Sequence, residues 1–516
     1  MLREYQHKAI QDFENSTEKN LVITMPTGSG KTFTFCEIAK RFHAENVKKV
    51  LIIVHRTELL NQAYNSLGER CFRIEAGIKQ IPTDYDYYVA MVETVAKRLK
   101  LLPAFGLVII DECHINNFKK LPFFADANVK CLGVTATPIS DPPLATVFNN
   151  LIQPITIDKL IENKFLLDCD VFGFASDLVA GAKFKTKGKD YDEKQMQDFY
   201  SSEKMVKTVI DSYWTKSAGK KTMIFNVNVN HNLAVYEAFK DEQLNVYSLT
   251  GETATNERIS ILKSFKEQSD AILCSVGVLT TGFDEPSVET IILNRATKSL
   301  TLYLQMIGRG SRILANKEKF LVLDLGRNTT THGFYSDFYD WQNYFLKGSK
   351  KESKGGGAMP IKECPQCAFT QHTRKTICEN CGFSFEDEKR KQEKEEKTQK
   401  LYQLIKERPI NTPTEMLFNM AAERGWKPFA VLHKIAEHIL KYENKYDVVD
   451  AEYSEGEALI QLDKWCKKYE QKFNKWHKEI FIKMIDEKRK QNTIGNNNLV
   501  QEHPLPKIEF KKEFDF

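Results

Sequence analysis

The sequence predicts an α/β protein with two parallel β-sheets, each covered by helices, followed by a cysteine-rich module and a helical C-terminal region. Apolar runs of strand length alternate with helix-compatible polar stretches through residues 1–150, and again over residues 155–346. Four cysteines then cluster within a short segment, and beyond residue 400 few strand-like runs occur. Strand–helix alternation is typical of βαβ units, whose strands pair in parallel beneath helices.

The apolar runs locate the predicted strands. In the first region they are Leu21–Met25, Val50–Val54, Tyr88–Val92, Leu107–Asp111 and Lys130–Val134. In the second region they are Lys221–Phe225, Asn245–Leu249, Asp270–Cys274, Thr290–Leu293 and Phe320–Asp324. Strands that are apolar on both faces are typical of parallel sheets buried on both sides. We therefore predict two sheet domains with a cleft between them.

Length and composition narrow the class of protein. A chain of 516 residues is too long for one compact core, and 42% hydrophobic with 28% charged residues indicates a soluble enzyme. No apolar run approaches the roughly 18–20 residues that cross a bilayer, and residues 1–8 lack the apolar segment of a secretory signal. We expect a cytoplasmic protein without a membrane partner. Its net charge of +5 permits a polyanionic partner without requiring one.

A phosphate-binding loop is predicted between the first strand and the helical stretch after it. Residues 25–32 read Met-Pro-Thr-Gly-Ser-Gly-Lys-Thr, so the loop comprises Thr27, Gly28, Ser29, Gly30, Lys31 and Thr32. Such glycines let backbone N–H groups face phosphate oxygens, while the lysine reaches the β- and γ-phosphates of ATP and the threonine hydroxyl binds Mg²⁺. The strict pattern has glycine in place of Met25, and a Gly-Lys-Thr in an ordinary turn is the alternative.

Two carboxylates follow a later strand of the first domain. Asp111 and Glu112 end the apolar run that starts at Leu107, and ligands bind at this end of parallel strands. We expect Asp111 to hold Mg²⁺ through water and Glu112 to polarise the water that attacks the γ-phosphate. Capping of the next helix is the alternative role, and the phosphate-binding loop upstream argues against it.

With Asp111-Glu-Cys-His114 downstream of that loop, the chain resembles the superfamily 2 DExH helicases. Further family motifs follow in order, at Leu2–Gln6, Val54–Leu59, Met91–Val95, Thr135–Pro138, Ile224–Asn226, Leu249–Gly251, Cys274–Pro286 and Gln305–Arg312. The resemblance covers about residues 1–330. It is closer to the repair-helicase and restriction-translocase branch than to the DEAD-box RNA helicases, which carry Asp-Glu-Ala-Asp. We therefore expect a bacterial or phage-encoded protein.

The resemblance implies two RecA-like domains that close on ATP. In such helicases Gln6 would read adenine, while Gly282 and Asp284 would lie at the nucleotide. Gln305, Arg309 and Arg312 would reach the γ-phosphate from the second domain, which makes hydrolysis depend on cleft closure. Surface ion pairing is the alternative role for the two arginines.

The resemblance also implies a nucleic-acid path and a coupling network. The residues expected near the nucleic-acid backbone are Arg56, Thr94, Thr250 and Thr280, where hydroxyls and an arginine suit phosphate oxygens but do not read sequence. A structural role is the alternative for each of them. His114, Thr135 and Thr137 are expected to transmit the ATP state. Thr281 departs from the pattern, because many relatives have glutamate there.

A Zn²⁺ site is predicted after the second domain. Two Cys-x-x-Cys pairs, Cys364 with Cys367 and Cys378 with Cys381, are separated by ten residues. Such pairs present four thiolates tetrahedrally, and segment 361–386, which resembles a zinc ribbon, is too short to fold without metal. A redox pair is the disfavoured alternative. Contact with a nucleic-acid strand through Phe369, Arg374 and Lys375, protein docking and a purely structural role all stay open.

The remaining segments are a flexible basic linker at 347–360, a charge-dense tether, a helical domain at 400–490 and a poorly ordered tail at 491–516. Segment 462–483 predicts a basic amphipathic helix, because lysines alternate with Leu462, Trp465, Tyr469, Phe473, Trp476 and Ile480. We favour a packing face for this stripe over base stacking. Protein partners could bind these helices or the ribbon.

Three functions are compatible with these predictions. The first is an ATP-dependent DNA helicase that unwinds or remodels forked or branched DNA. The second keeps the motor as a duplex translocase in a restriction or defence assembly, without strand separation, and an RNA helicase is a further alternative. The third is a non-catalytic scaffold. Intact Lys31, Glu112 and Arg309 argue against the scaffold.

Overall fold

The structure is a computed structural model. It describes residues 2–115, 118–119, 121–173, 179, 182–277, 283–348 and 360–386, and beyond these residues 463, 467, 479, 482–483 and 486–487; the side chains of residues 57 and 58 are not described. The chain divides into two compact units, 1–383 and 384–516. In the second unit, the residues described from 463 onward are helical, and the aromatic stripe predicted there lies outside the described residues.

The first sheet lies within residues 20–152 and is entirely parallel. Its described strands are β1 (Asn20–Thr24), β2 (Val50–Val54), β3 (Cys71–Ile74), β4 (Tyr87–Met91), β5 (Leu107–Asp111), β6 (Lys130–Thr135) and β7 (Asn150–Ile152). They lie side by side in the order β3-β4-β2-β5-β6-β1-β7. The accompanying helices are α1 (Glu4–Glu14), α2 (Lys31–Asn46), α3 (Thr57–Leu67) and α4 (Val92–Arg98).

The second sheet is also parallel and has the described strand order β12-β13-β11-β14-β15-β8. In chain order the strands from β8 onward are β8 (Asp168–Phe172), the hairpin β9 (Thr186–Lys187) and β10 (Asp190–Tyr191), then β11 (Thr222–Phe225), β12 (Val246–Leu249), β13 (Ile272–Ser275), β14 (Thr290–Leu293) and β15 (Lys319–Asp324). The helices are α5 (Ile157–Glu162), α6 (Glu193–Tyr200), α7 (Glu203–Lys216), α8 (Val229–Asp241), α9 (Thr255–Glu267), α10 (Leu300–Ile307), α11 (Asn328–His332) and α12 (Trp341–Lys347).

Each sheet is covered on both faces by an apolar core. Strands β2 and β5 are buried along their whole length, because every residue of their apolar runs faces one core or the other. The prediction of two RecA-like parallel-sheet domains is therefore confirmed. Among the described residues, no helix combines the length and apolarity needed to cross a bilayer.

Helix α12 packs against both sheet domains. Phe345 is 1% exposed and packs into a core of the first sheet, whereas Trp341, one turn earlier, packs into a core of the second. The chain therefore returns from the second domain to the first after β15. This helix was not predicted from the sequence.

A buried polar network lies at the carboxyl end of the second sheet. The backbone N–H of Val227 donates to Nδ1 of His231 at 3.1 Å. The other ring nitrogen, Nε2, lies 3.1 Å from the side-chain nitrogen of Asn294, which donates to the side-chain oxygen of Asn226 at 2.8 Å. Burial lowers the pKa of His231 from 6.5 to about 3. The ring therefore stays neutral in the folded protein.

We expect acid to destabilise the second domain through His231. Below its ordinary pKa of 6.5 the unfolded imidazole takes up a proton, whereas the folded ring does so only near pH 3. Stability is therefore lost as pH falls between these values, by about 2 kcal/mol between pH 6.5 and about pH 5. His231→Gln should flatten this dependence of the thermal unfolding midpoint, and the exposed His7→Gln should not. A wild-type slope in His231→Gln would contradict this account.

Candidate nucleotide site and metal centre

A cavity of about 680 Å³ lies between the two sheet domains. Much of its lining from the first domain is the predicted phosphate loop and carboxylate pair, namely Thr27, Gly28, Gly30, Lys31, Thr32, Asp111 and Glu112. The second domain contributes Phe283, Asp284, Gln305, Arg309 and Arg312. Residues that are far apart in the sequence therefore share one cavity.

The phosphate loop has the backbone geometry that its glycines allow. Gly28 has φ +94° and Gly30 has φ +81°, both in the left-handed region that favours glycine. Because α2 begins at Lys31, its free N–H groups point toward the cavity, as in anion sites at helix N-termini. Burial lowers the pKa of Lys31, and the carboxylates of Glu112 and Asp111 oppose this shift. The loop thus combines a partly buried lysine with backbone donors.

Arg312 and Gly308 bring the second domain against this loop. A side chain on Gly28 would overlap the guanidinium of Arg312, and one on Gly308 would lie 3.1 Å from Thr27. The Nε of Arg312 donates to Asp284 at 2.6 Å, which holds the guanidinium in place. The loop around Lys31 and the arginines of the second domain therefore face each other across one cavity.

Arg309 is the more deeply buried of the two arginines. Its side chain donates to the backbone carbonyl of Phe283, and the residue is 8% exposed. Burial lowers its pKa to about 9, and Arg312 adds to the effect. A guanidinium with this pKa is still protonated at neutral pH. The cavity therefore holds a fixed positive charge on the second-domain side.

The carboxylate pair lies at the end of β5. The backbone N–H of Glu112 donates to Asp111 at 3.0 Å, and Glu112 has φ +50°, a conformation rare for non-glycine residues. Burial, followed by the neighbouring Glu112, raises the pKa of Asp111. Burial also acts to raise the pKa of Glu112, but the hydrogen bond from His114 and the charge of Lys31 outweigh it and lower the pKa. Glu112 is thus the carboxylate held ionised.

The predicted coupling residues surround Glu112. Nδ1 of His114 lies 2.8 Å from the hydroxyl of Thr135 and 3.3 Å from a carboxylate oxygen of Glu112. The backbone N–H of Thr137 donates to the same hydroxyl at 3.1 Å. A continuous hydrogen-bond chain therefore connects Glu112 with the loop after β6.

Gln6 lies beneath the phosphate loop. Its Nε2 donates to the carbonyl of Ser29 at 3.2 Å, and the side chain is not part of the cavity lining described. Arg3 and Phe165 line the cavity instead, with the Arg3 guanidinium 4.2 Å from the Phe165 ring centre. Arg3 belongs to the predicted Leu2–Gln6 element, whereas no pattern in the sequence singled out Phe165.

The residues predicted at nucleic acid are only partly described. Arg56 reaches across the domains to the carbonyl of Gly277 at 3.5 Å, and Thr94 lies in the first turn of α4. The Thr250 hydroxyl accepts from the N–H of Glu252 at 3.2 Å. Residues 280–282, with the predicted Thr280 and Gly282, lie outside the described residues.

The four clustered cysteines form two matching turns. Each turn has the same pair of bonds: Cys364 N–H donates to Phe369 and accepts at its carbonyl from Ala368, and Cys378 bonds Phe383 and Gly382 likewise, all at 2.8–2.9 Å. Ala368 and Gly382 both have left-handed φ, +62° and +76°. All four Sγ atoms lie within 4.8 Å of one another. Two equivalent turns thus converge on one point.

The cysteine module packs on the edge of the second sheet. Its strands β16 (Ile361–Glu363) and β17 (Thr370–His372) pair antiparallel. The N–H of Gly173, just after β8, donates to Ala368 at 2.8 Å, and the rings of Phe172 and Phe369 lie 5.4 Å apart. The module is therefore attached to the motor by backbone and aromatic contacts.

Comparison with known families agrees with this geometry. Residues 1–140 match the family described as "Type III restriction enzyme, res subunit", and residues 202–314 match "Helicase conserved C-terminal domain". The first match contains the phosphate loop and the carboxylate pair, and the second contains both cavity arginines. Together with the shared cavity, these matches define a tandem RecA-like ATPase of the helicase class.

Individual related proteins also indicate the helicase class. A "51.5 kDa protein" of a Lactococcus phage is 28% identical over 79% of this chain and 87% of its own length. The "ATP-dependent DNA helicase uvsW" of phage T4 is 26% identical over 62% of this chain and 67% of its own length. The chain covers only 51% of the length of another curated relative, the "Putative ATP-dependent helicase IRC3" of Saccharomyces cerevisiae. The chain belongs to the superfamily 2 helicases, in the branch shared with restriction and repair enzymes, and is an ATP-hydrolysing enzyme.

A solved structure has the same fold. A fragment assigned to the HsdR subunit of a type I restriction enzyme from Vibrio vulnificus superposes with a TM-score of 0.51 at 23% identity. The superposition covers 63% of this chain and 64% of the other.

Proposed function

We propose that this protein is a DNA motor that couples ATP hydrolysis to unwinding or remodelling of forked or branched DNA. One observation supports this most strongly: Arg312 of the second domain lies against Gly28 of the phosphate loop, so both domains contact the same cavity. A nucleotide bound there would be held from both sides. Opening and closing of the cleft would then follow the state of the nucleotide.

The residues of the loop and of β5 fit a nucleotide with Mg²⁺. Asp111 is a buried carboxylate whose pKa is raised by burial, and a divalent cation would compensate its charge. Thr32 and Asp111 would hold Mg²⁺, which when bound neutralises charge on the phosphate oxygens. Lys31 and the N–H groups at the start of α2 would bind the β- and γ-phosphates.

Glu112 would orient the attacking water. Its ionised state, favoured by His114 and Lys31, suits a group that accepts a hydrogen bond from water. Arg309 and Arg312 would stabilise the charge on the transferred phosphoryl group, with Gln305 supporting the same network. Hydrolysis would thus require residues of both domains.

We also propose an adenine position that differs from the one expected of Gln6. Phe165 and Arg3 line the cavity in cation–π contact, and a flat adenine ring stacks well on such a pair. Gln6 would act indirectly, by holding the carbonyl of Ser29. Phe165 precedes β8, so the adenine would contact the junction between the domains.

DNA is favoured over RNA by the T4 relative, which is named a DNA helicase, and by the restriction-enzyme family match. The same family match favours the second candidate, a duplex translocase without strand separation. Both candidates use the same cavity, and they differ in what happens to the duplex.

Strand displacement and translocation assays separate these candidates. The full chain should displace a labelled strand from forked DNA with ATP, and Lys31→Ala should not. A translocase would instead displace a third strand from blunt triplex DNA while leaving the fork intact. Displacement on RNA duplexes alone would overturn the DNA proposal. A wild-type protein that shows neither strand displacement nor translocation would overturn the motor proposal.

We propose that Cys364, Cys367, Cys378 and Cys381 hold a structural Zn²⁺. Tetrahedral Zn²⁺ with bonds of about 2.3 Å places its sulfurs about 3.8 Å apart. The Sγ atoms of Cys364 and Cys381, and those of Cys367 and Cys378, lie 3.6 Å apart. The two matching turns therefore already have nearly the spacing that the ion needs.

Purified wild-type chain is expected to contain about one Zn²⁺, and Cys378→Ser to lose most of it, because three ligands bind the ion far more weakly. Metal analysis of the full chain measures this directly. Cys71→Ala, at a buried cysteine of β3, is the matched control and should keep the metal. Full Zn²⁺ content in Cys378→Ser would contradict the assignment.

A further inference from the structure

The second domain carries a hairpin with a dense positive charge. We call residues 183–191 the basic hairpin; they read Lys-Phe-Lys-Thr-Lys-Gly-Lys-Asp-Tyr and contain β9 and β10. Lys183, Lys185, Lys187 and Lys189 are all exposed. Phe184 instead packs inward, with its ring 5.7 Å from Tyr191 and 6.0 Å from Tyr200. The lysines thus project from an element that has its own aromatic base.

The hairpin is held rigidly. Its two-residue turn starts with Gly188 at φ +67°, the position where a type II′ turn needs glycine. Asp190 accepts from the Thr297 hydroxyl and from the N–H of Lys298, both at 2.7 Å. These contacts fix the hairpin to the loop after β14. A fixed element presents its charges without an ordering cost on binding.

The hairpin lies at the carboxyl end of the second sheet, where nucleic acid is expected. The loop after β14 holds Asp190, and α6, which follows the hairpin, contacts the loop after β11 through a 2.6 Å bond from Asn228 to Gln197. In a parallel sheet, the carboxyl ends of all strands lie at the same end of the sheet. Thr250 follows β12 and Gly277 follows β13, so both lie at this carboxyl end. Arg56 contacts Gly277 there.

Few acidic groups oppose this charge. Among the described residues, the ion pair formed by these four lysines is that of Lys187 with Asp192, whose charged atoms lie 3.9 Å apart. The Lys187 side chain is 80% exposed. Such a pair contributes little, because water and salt screen it. Asp190 is already engaged by Thr297 and Lys298. The hairpin surface is therefore available to an anionic partner.

We propose that the basic hairpin binds the sugar–phosphate backbone of the nucleic acid on which the motor acts. Lysines provide point charges suited to phosphates without reading bases. This inference rests on the proposed function and extends its binding surface beyond the helicase motifs. It also connects substrate to the nucleotide cavity: the Thr297 hydroxyl accepts from Ser299, which caps α10, the helix that carries Gln305.

The test compares two triple variants of the full chain. The hairpin variant is Lys185→Gln/Lys187→Gln/Lys189→Gln. The control is Lys240→Gln/Lys263→Gln/Lys266→Gln. These three exposed lysines lie near the C-terminal ends of α8 and α9, at the opposite end of the sheet. Binding of labelled forked DNA is measured against salt concentration, together with ATP hydrolysis without DNA.

The hairpin variant should weaken DNA binding at least about tenfold near 0.1 M salt and reduce the slope of log affinity against log salt by about one per lost phosphate contact. Its DNA-independent hydrolysis and the control variant should match wild type. A hairpin variant with wild-type affinity and slope would overturn this inference alone. A wild type that neither binds DNA nor responds to it would overturn the proposed function as well.

Discussion

Replacement of Arg309 by alanine is expected to reduce DNA-stimulated ATP hydrolysis by about 10³–10⁵-fold, the range found for arginine fingers in related NTPases. The reason is geometric: Arg309 is a buried cation of the second domain in a cavity that the first domain's phosphate loop also lines. The reaction develops charge at the γ-phosphate, and Arg312, which is held by Asp284, would supply only part of the stabilisation that both guanidinium groups provide. Steady-state kcat at saturating DNA measures the loss.

Arg309→Lys should recover only a small part of this activity, because an ammonium lacks the planar donors of a guanidinium. Arg70→Ala is the control, since Arg70 is 65% exposed and pairs with Asp86 away from the cavity. Its kcat should equal that of wild type. Thermal unfolding of each variant separates a catalytic loss from misfolding. A folded Arg309→Ala protein with kcat within threefold of wild type would contradict the role assigned to this arginine.

Glu112→Gln is expected to reduce kcat by about 10²–10⁴-fold while ATP binding is kept, because a neutral amide orients and polarises the attacking water far less than an ionised carboxylate. The substitution preserves size, and the buried Thr135 and the partly buried His114 retain a hydrogen-bond partner. A fluorescent ATP analogue measures binding, and phosphate release measures turnover.

The exposed Glu69→Gln is the matched control and should leave both measurements unchanged. Loss of binding and turnover together in Glu112→Gln would mean that Glu112 supports the cavity and does not orient water. Unchanged turnover would exclude it from the reaction.

The central strands could be predicted from the sequence because they are apolar on both faces. Runs such as Val50–Val54 and Leu107–Asp111 have few alternatives to burial between two helical layers. The edge strand β12 was also predicted, as Asn245–Leu249, but the other three edge strands of the two large sheets were missed. Strands β3, β7 and β8 are only partly buried, so their sequences mix polar and apolar residues without a clear period.

The cavity residues could be predicted where family motifs have a fixed spacing. Lys31, Glu112 and Arg309 belong to such motifs, and the fold brings them to one cavity. Phe165 could not be found in this way, because its position depends on how the linker before β8 crosses the cleft. Gln6 shows the reverse: the motif is present, but the side chain bonds Ser29 beneath the loop.

The cysteine spacing predicted convergence of four thiols, but not their attachment to the motor. That attachment depends on the N–H of Gly173 and on the Phe172–Phe369 ring contact, which join segments almost two hundred residues apart in sequence. Likewise, the lysines of the basic hairpin were visible as residues, while their place at the carboxyl end of the second sheet depends on Asp190 and the loop after β14. Long-range contacts of this kind leave no local pattern.

A structure of the full chain with ADP, aluminium fluoride and forked DNA would show whether both domains contact one bound nucleotide. We expect the Arg309 guanidinium within hydrogen-bonding distance of the fluoride that mimics the transferred phosphoryl group, with Lys31 and Glu112 on its other side. A nucleotide contacted by the first domain alone, with Arg309 directed into a separate pocket, would exclude a motor in which hydrolysis depends on both domains.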